Sequence, residues 1–260
     1  MKLFDEGSGP AVVVIPGIQG RWEWMRPGID ALLASCRVVT FSLCDEPCSE
    51  GRFDERDGFA CYVDQVRDAL GQARLERAAI CGVSYGGLIA AAFAARYPSR
   101  VSALVLVSAL PPAWTPNTRI RTYLRTPRLL APVFFMAASL HLHRELATAL
   151  PRVADRVRLT AETLVRIARH RPVPTRMSRR ARMLTHMAPL DLSSVRAPVL
   201  VVTGEAELDR VVPVASTREY ARLMPQTRVA TLARTGHLGM VTRPRAFAEL
   251  VAPFVKEHAA

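Results

Sequence analysis

The run Ala79-Ile80-Cys81-Gly82-Val83-Ser84-Tyr85-Gly86-Gly87-Leu88 limits the folds open to this chain more than any other. Apolar residues lead into Gly82, and an alanine-rich helical pattern follows over 88–96, closed by Tyr97-Pro98. The pattern predicts a strand, a sharp turn and a helix, with Ser84 at the apex. Residues without a Cβ on either side of the turn let strand and helix approach closely around a strained serine backbone. The helix then points its free N–H groups and positive dipole end at any negative charge forming there. A plain turn can use the same glycine spacing, so the flanks carry the reading: in this context G-x-S-x-G presents a nucleophilic serine.

At 260 residues, 50% of them hydrophobic, the chain can bury the core of one large α/β domain with an inserted subdomain. Met1-Lys2-Leu3-Phe4-Asp5-Glu6 lacks the basic start and apolar run of a secretory signal. The most apolar stretch, residues 129–140, contains Pro132 and is too short to span a bilayer. A soluble, cytoplasmic monomer or homodimer without stable membrane insertion is therefore expected. Cys36, Cys44, Cys48, Cys61 and Cys81 are odd in number and confined to the first third of the chain, which reads as free thiols in a reducing compartment. Cys44 and Cys48 have no second ligand pair, and His141 and His143 would fall on different helix faces, so no metal is expected.

The net charge of +12 is confined to residues 111–190, where 15 arginines face only Glu145, Asp155 and Glu162. Such a field can draw in anionic substrates or anionic lipid. It can also reflect base composition alone, since Lys2 and Lys256 are the chain's only lysines. Ser178-Arg179-Arg180-Ala181-Arg182 has no interleaved aromatics and reads as a solvated helix face, so no nucleic-acid partner is expected.

Continuous apolar runs at 11–15, 37–43, 101–108 and 198–202 read as strands buried on both faces of a parallel sheet, with a last strand at 228–232. Residues 22–34 read as a helix interrupted by Pro27. An amphipathic helix is expected over 57–72, with Phe59, Val63, Val66 and Leu70 on one face. Residues 111–190 are helical in pattern, punctuated by nine prolines, and contain no convincing strand.

Three further signatures join the serine turn: Pro16-Gly17-Ile18-Gln19-Gly20 after a strand, Gly204 to Pro213 after another, and Gly236-His237 after the last. With them the chain resembles the α/β-hydrolase fold family over nearly its whole length apart from the middle third. The resemblance implies a mostly parallel, twisted sheet flanked by helices. Residues 1–110 and 191–260 would form the core, and 111–190 an all-helical cap inserted between the sixth and seventh strands. The sequence departs from the family at Pro16, where a histidine is usual. It departs again at Cys44-Asp45-Glu46-Pro47-Cys48-Ser49-Glu50-Gly51, where an Asp-x-x-Gly-x-Gly-x-Ser run is common.

The same resemblance gives catalytic roles to Ser84, Asp209 and His237, in the family's chain order. Glu205 and Glu207 are alternatives for the acid. The amides of Ile18 and Tyr85 would form an oxyanion hole, and Gln19, Phe134, Phe135, Met136 and Leu238 would meet the substrate. Such a set implies a serine carboxylesterase that acts on a small-molecule ester with a hydrophobic portion through an acyl-serine, without metal or cofactor. A serine nucleophile argues against the dehalogenase and epoxide hydrolase branches, which use aspartate. Fold does not fix the reaction. A thioesterase, a lactonase or C–C bond hydrolase on anionic or carrier-bound acyl groups, and a slow-turnover ligand receptor all remain open.

Overall fold

The apolar, β-branched runs become the strands of one sheet. In this computed structural model, residues 1–185, 187 and 190–259 are described, without the side chains of residues 119, 131–132, 134–135 and 137–141. The strands are β1 (Leu3–Glu6), β2 (Ala11–Ile15), β3 (Arg37–Phe41), β4 (Ala78–Val83), β5 (Val101–Val107), β6 (Val199–Thr203) and β7 (Thr227–Thr231). They lie in the order β1-β3-β2-β4-β5-β6-β7. β1 is antiparallel to β3, and the other neighbours are parallel.

Alternate residues of the central strands serve two separate cores, as the period of two requires. Val13, Ile15, Ile80, Leu104 and Leu106 pack under the helices α2 (Ala60–Gln72) and α3 (Tyr85–Arg96), which contribute Tyr62, Val66, Leu70, Ile89 and Phe93. Before α2 in the chain stands α1 (Arg26–Leu32). It joins the C-terminal helix Pro244–Glu257 on the opposite face, where Ile29, Leu32, Phe247 and Val251 cover Val12, Val14, Ala79, Cys81 and Val105. Pro27 does not interrupt a longer helix as expected. It sits in the first turn of α1, where its missing N–H costs nothing, and a 3₁₀ turn at Trp22–Met25 precedes it.

The insertion folds as four helices, α4 (Thr118–Arg125), α5 (Pro127–Ala149), α6 (Val153–Arg169) and α7 (Pro174–Leu184). It follows the fifth strand and precedes the sixth, not the sixth and seventh, because the described sheet has seven strands. Asn117 caps α4 by accepting the Ile120 N–H at 2.9 Å. No helix among the described residues is long and apolar enough to cross a membrane. The remaining helices, α8 (Val214–Thr217), α9 (Glu219–Leu223), α10 (Gly239–Thr242) and α11 (Pro244–Glu257), complete the core.

The basic run on α7 is not a solvated face. Arg180 is fully buried, and its guanidinium meets Asp45 Oδ1 at 2.6 and 3.1 Å, Glu46 Oε1 at 2.6 Å and the Ile18 carbonyl at 2.8 Å. Arg179 pairs with Asp45 and Glu55, and Arg176 with Glu46. Ser178 is buried too, and its hydroxyl donates to the Leu124 carbonyl. The unusual loop after β3 therefore supplies the carboxylates that latch the inserted helix α7 beside the sheet. Burial alone would push the Arg180 guanidinium down, but Asp45 and Glu46 more than offset it and keep it charged.

Removing one side of a buried ion cluster strands the other. Arg180→Met should destabilise the protein by about 3–5 kcal/mol in urea unfolding. Arg158→Met, at a side chain 76% exposed, should change it by less than about 0.5 kcal/mol.

Candidate active site

The order of the strands sets where loops can converge. From β2 the chain turns to one side, toward β3, and from β4 to the other, toward β5. The carboxyl ends of β2 and β4 thus flank the crevice in which open α/β sheets place their ligands.

β4 ends at Val83 and α3 starts at Tyr85, earlier than the alanine pattern shows, leaving Ser84 alone in the turn. Its φ of 54° and ψ of −114° lie outside the regions an L residue prefers, a strain of about 1–3 kcal/mol that surrounding structure must hold. Hydrogen bonds hold it on both sides: the Ser84 N–H donates to Val107, and the Ser84 carbonyl accepts from Gly87 and Leu110. A Cβ on Gly82 would strike the Gly86 carbonyl, and one on Gly86 would strike the carbonyls of Ile15 and Pro16. Only glycine lets α3 begin so close to β2.

His237 comes from the loop after β7, which is tied to the end of β6 by Glu205 N–H to Thr235 O and Leu232 N–H to Thr203 O, both 2.7 Å. Its Nε2 lies 3.2 Å from Ser84 Oγ and its Nδ1 3.3 Å from Asp209 Oδ2. Asp209 is buried and its other oxygen accepts the amides of Val211 and Val212 at 3.1 and 2.9 Å. Burial raises this carboxyl, but the His237 ring and the two amides outweigh burial and hold it below the ordinary 3.8. An ionised Asp209 favours the tautomer with its proton on Nδ1, leaving Nε2 free to accept from the serine hydroxyl.

The structure separates the three candidate acids. Glu205 accepts the Arg234 amide at 2.7 Å and is thereby engaged away from the imidazole. Glu207 is exposed on the loop surface. Asp209 alone of the three carboxylates bonds His237.

The loop Pro16–Gly20 runs beside Ser84: a Cβ built on Gly17 would sit 3.6 Å from the Ser84 Cβ and 3.2 Å from Gln19 Oε1. Gln19 therefore folds back onto Gly17 of its own loop. The Ile18 amide has no acceptor among the described residues, and the Tyr85 amide opens α3, where no intrahelical acceptor exists. Tyr85's buried ring meets Phe59 and Tyr62 edge-on at 6.0 Å each, which fixes that first turn.

The expected substrate contacts fare unevenly. Leu238 is half-buried next to His237. Met136 is 62% exposed on α5, and the side chains of Phe134 and Phe135 lie outside the described residues. Ile18 packs instead against a cluster of Tyr123, Leu124 and Ala181 from the inserted helices, which Trp114, Ile120 and Leu130 also join. Ile120, Tyr123 and Leu124 stand at i, i+3 and i+4 on α4, a periodicity present in the sequence. Arg180 on the Ile18 carbonyl and Glu145 on the Leu238 amide were not legible there.

A family model of the α/β hydrolase fold matches residues 10–244, and the chain belongs to that family. It is 29% identical, over 97% of its length and 95% of the relative's, to a protein provisionally named carbamate hydrolase RutD from Caulobacter sp. (strain K31). It is 26% identical, over 96% and 93%, to one provisionally named 2-succinyl-6-hydroxy-2,4-cyclohexadiene-1-carboxylate synthase from Bacillus subtilis (strain 168). Among solved structures, an esterase from Exiguobacterium antarcticum superposes with a TM-score of 0.79 at 17% identity, covering 98% of this chain and 94% of that one. At that identity the likeness speaks to fold alone.

Asp209 binds its proton less readily folded than unfolded, so its contribution to stability is complete above the unfolded value and is lost as pH falls through the folded one. Asp209→Asn should therefore flatten the acid side of the stability curve, seen in urea midpoints measured between about pH 6 and 2.

Proposed function

We propose that the protein is a serine hydrolase that cleaves carboxylic esters with a hydrophobic portion through an acyl-serine intermediate. The observation that carries this reading is the continuous hydrogen-bonded chain Ser84–His237–Asp209, with contacts of 3.2 and 3.3 Å. A serine hydroxyl attacks a carbonyl only while a base removes its proton. Nε2 of His237 takes that proton and returns it to the departing alcohol, and Asp209 holds the ring and stabilises the imidazolium.

The tetrahedral oxyanion would lie against the amides of Ile18 and Tyr85, each contributing about 3 kcal/mol to the transition state. Water, deprotonated by His237, then attacks the acyl-serine, and the imidazolium returns that proton to Ser84 Oγ as the acid leaves. The apolar cluster of Tyr123, Leu124 and Ala181, against which Ile18 and Trp114 pack, supports a hydrophobic group on the substrate. The latch observed at Arg176, Arg179 and Arg180 ties up three of the cap arginines in pairs with Asp45, Glu46 and Glu55. That weakens the case for an anionic or carrier-bound acyl group.

A chain-length series of p-nitrophenyl esters tests this directly. Turnover should peak at one acyl length, and Ser84→Ala should lose at least about 10³-fold in kcat/KM. Hydrolysis that survives the substitution would contradict the nucleophile, and preference for the matching acyl thioesters would move the substrate class.

A further inference from the structure

Glu145 stands near the carboxyl end of the cap helix α5 and is fully buried. Its Oε1 accepts the Leu238 amide at 2.7 Å. Its Oε2 is buried without a hydrogen-bond partner. The amides of Gly236 and Leu238, on either side of His237, both act on this carboxylate. One helical turn on, the Arg234 guanidinium donates to the Thr148 carbonyl at 3.0 and 3.3 Å, so the same end of α5 grips the histidine loop twice.

An apolar residue would pack a helix end with less penalty than a buried carboxylate left with an open oxygen. The carboxylate's position at the histidine loop offers what such a residue would not: an acceptor for backbone that has no other partner, and a negative charge near the imidazole. Burial pushes the Glu145 carboxyl up, and the two amides and His237 oppose that, while Asp209 adds to it. Among the described residues, His237 and Asp209 are the ionisable groups acting on it, with Arg234 reaching the helix backbone nearby.

We infer that Glu145 is a positioning residue for the catalytic histidine: from the cap it fixes the backbone at Leu238, directly after His237, and, as a second carboxylate beside Asp209, stabilises the imidazolium. Docking of α5 then becomes a condition for catalysis and not merely a cover over the site. The inference rests on the triad reading above.

Two variants separate the backbone role from the charge. Glu145→Leu removes both, and Glu145→Gln keeps an oxygen for the Leu238 amide but removes the charge. With p-nitrophenyl butyrate, Glu145→Leu should lose about 100-fold in kcat at nearly unchanged KM, the cost of a misplaced catalytic group. Glu145→Gln should recover most of that loss. It should also move the acid limb of the kcat/KM profile to lower pH, because the imidazolium loses a neighbouring negative charge. Wild-type kcat in a folded Glu145→Leu, or an unmoved acid limb in Glu145→Gln, would overturn the inference. Ser84→Ala keeps the two readings apart: its loss of turnover tests the triad whatever the Glu145 variants do.

Discussion

The first turn of α3 lies against the end of β2, with Gly86 on the carbonyls of Ile15 and Pro16, and the site's geometry depends on that contact. Ser84, at the turn that this contact closes, takes a positive φ. The contact also brings Gly17 and Ile18 alongside the serine, since β2 and β4 are neighbours paired from Val12↔Ala79 to Ile15↔Gly82. Because the connections that leave β2 and β4 run in opposite directions, a crevice opens there, and the loops after β6 and β7 bring Asp209 and His237 to its edge. The strain at Ser84 is sustained by ladder bonds to Val107 and Leu110 and by the aromatic packing beneath Tyr85.

The inserted helices α5 and α7 take part in this geometry from two sides. Arg180 holds the Ile18 carbonyl while tied to Asp45 and Glu46, so the latch between cap and core also braces the loop beside Ser84. Such a cluster is weak as a source of net stability, because taking three charges out of water costs nearly what their attraction returns. Its effect is directional: a planar guanidinium with its donors engaged in a fixed fork admits few alternative placements of α7. Glu145 reaches the histidine loop in a similar way from α5. Arg180 and Glu145 thus face inward, while Arg144 and Arg182 beside them stay exposed.

The core was legible in the sequence because local pattern and tertiary role coincide there. Runs such as Val12-Val13-Val14-Ile15 can only be strands covered on both faces. Ser84, with glycines two residues before and after it, needed no information from elsewhere in the chain. Chain order and the G-H signature brought His237 into the same reading, and three acids within five residues left only Asp209 to be sorted out by geometry. The cap was harder. Arg180 reads as one arginine in a basic run, and nothing local shows that Asp45 and Glu46 lie across from it, more than 130 residues away in the chain. Glu145 reads as a lone acid on an apolar helix for the same reason. Pro27 misled because a proline that starts a helix and one that breaks it look alike until the preceding turn is seen.

The most direct test of an activated serine at this crossing needs no knowledge of the substrate. A fluorophosphonate reacts with a serine whose proton is taken by a neighbouring base, and intact-mass and peptide analysis locate the adduct. The account predicts one adduct per chain, on Ser84, and none when His237 is replaced by alanine. An unlabelled protein, or an adduct on any other residue, would contradict it.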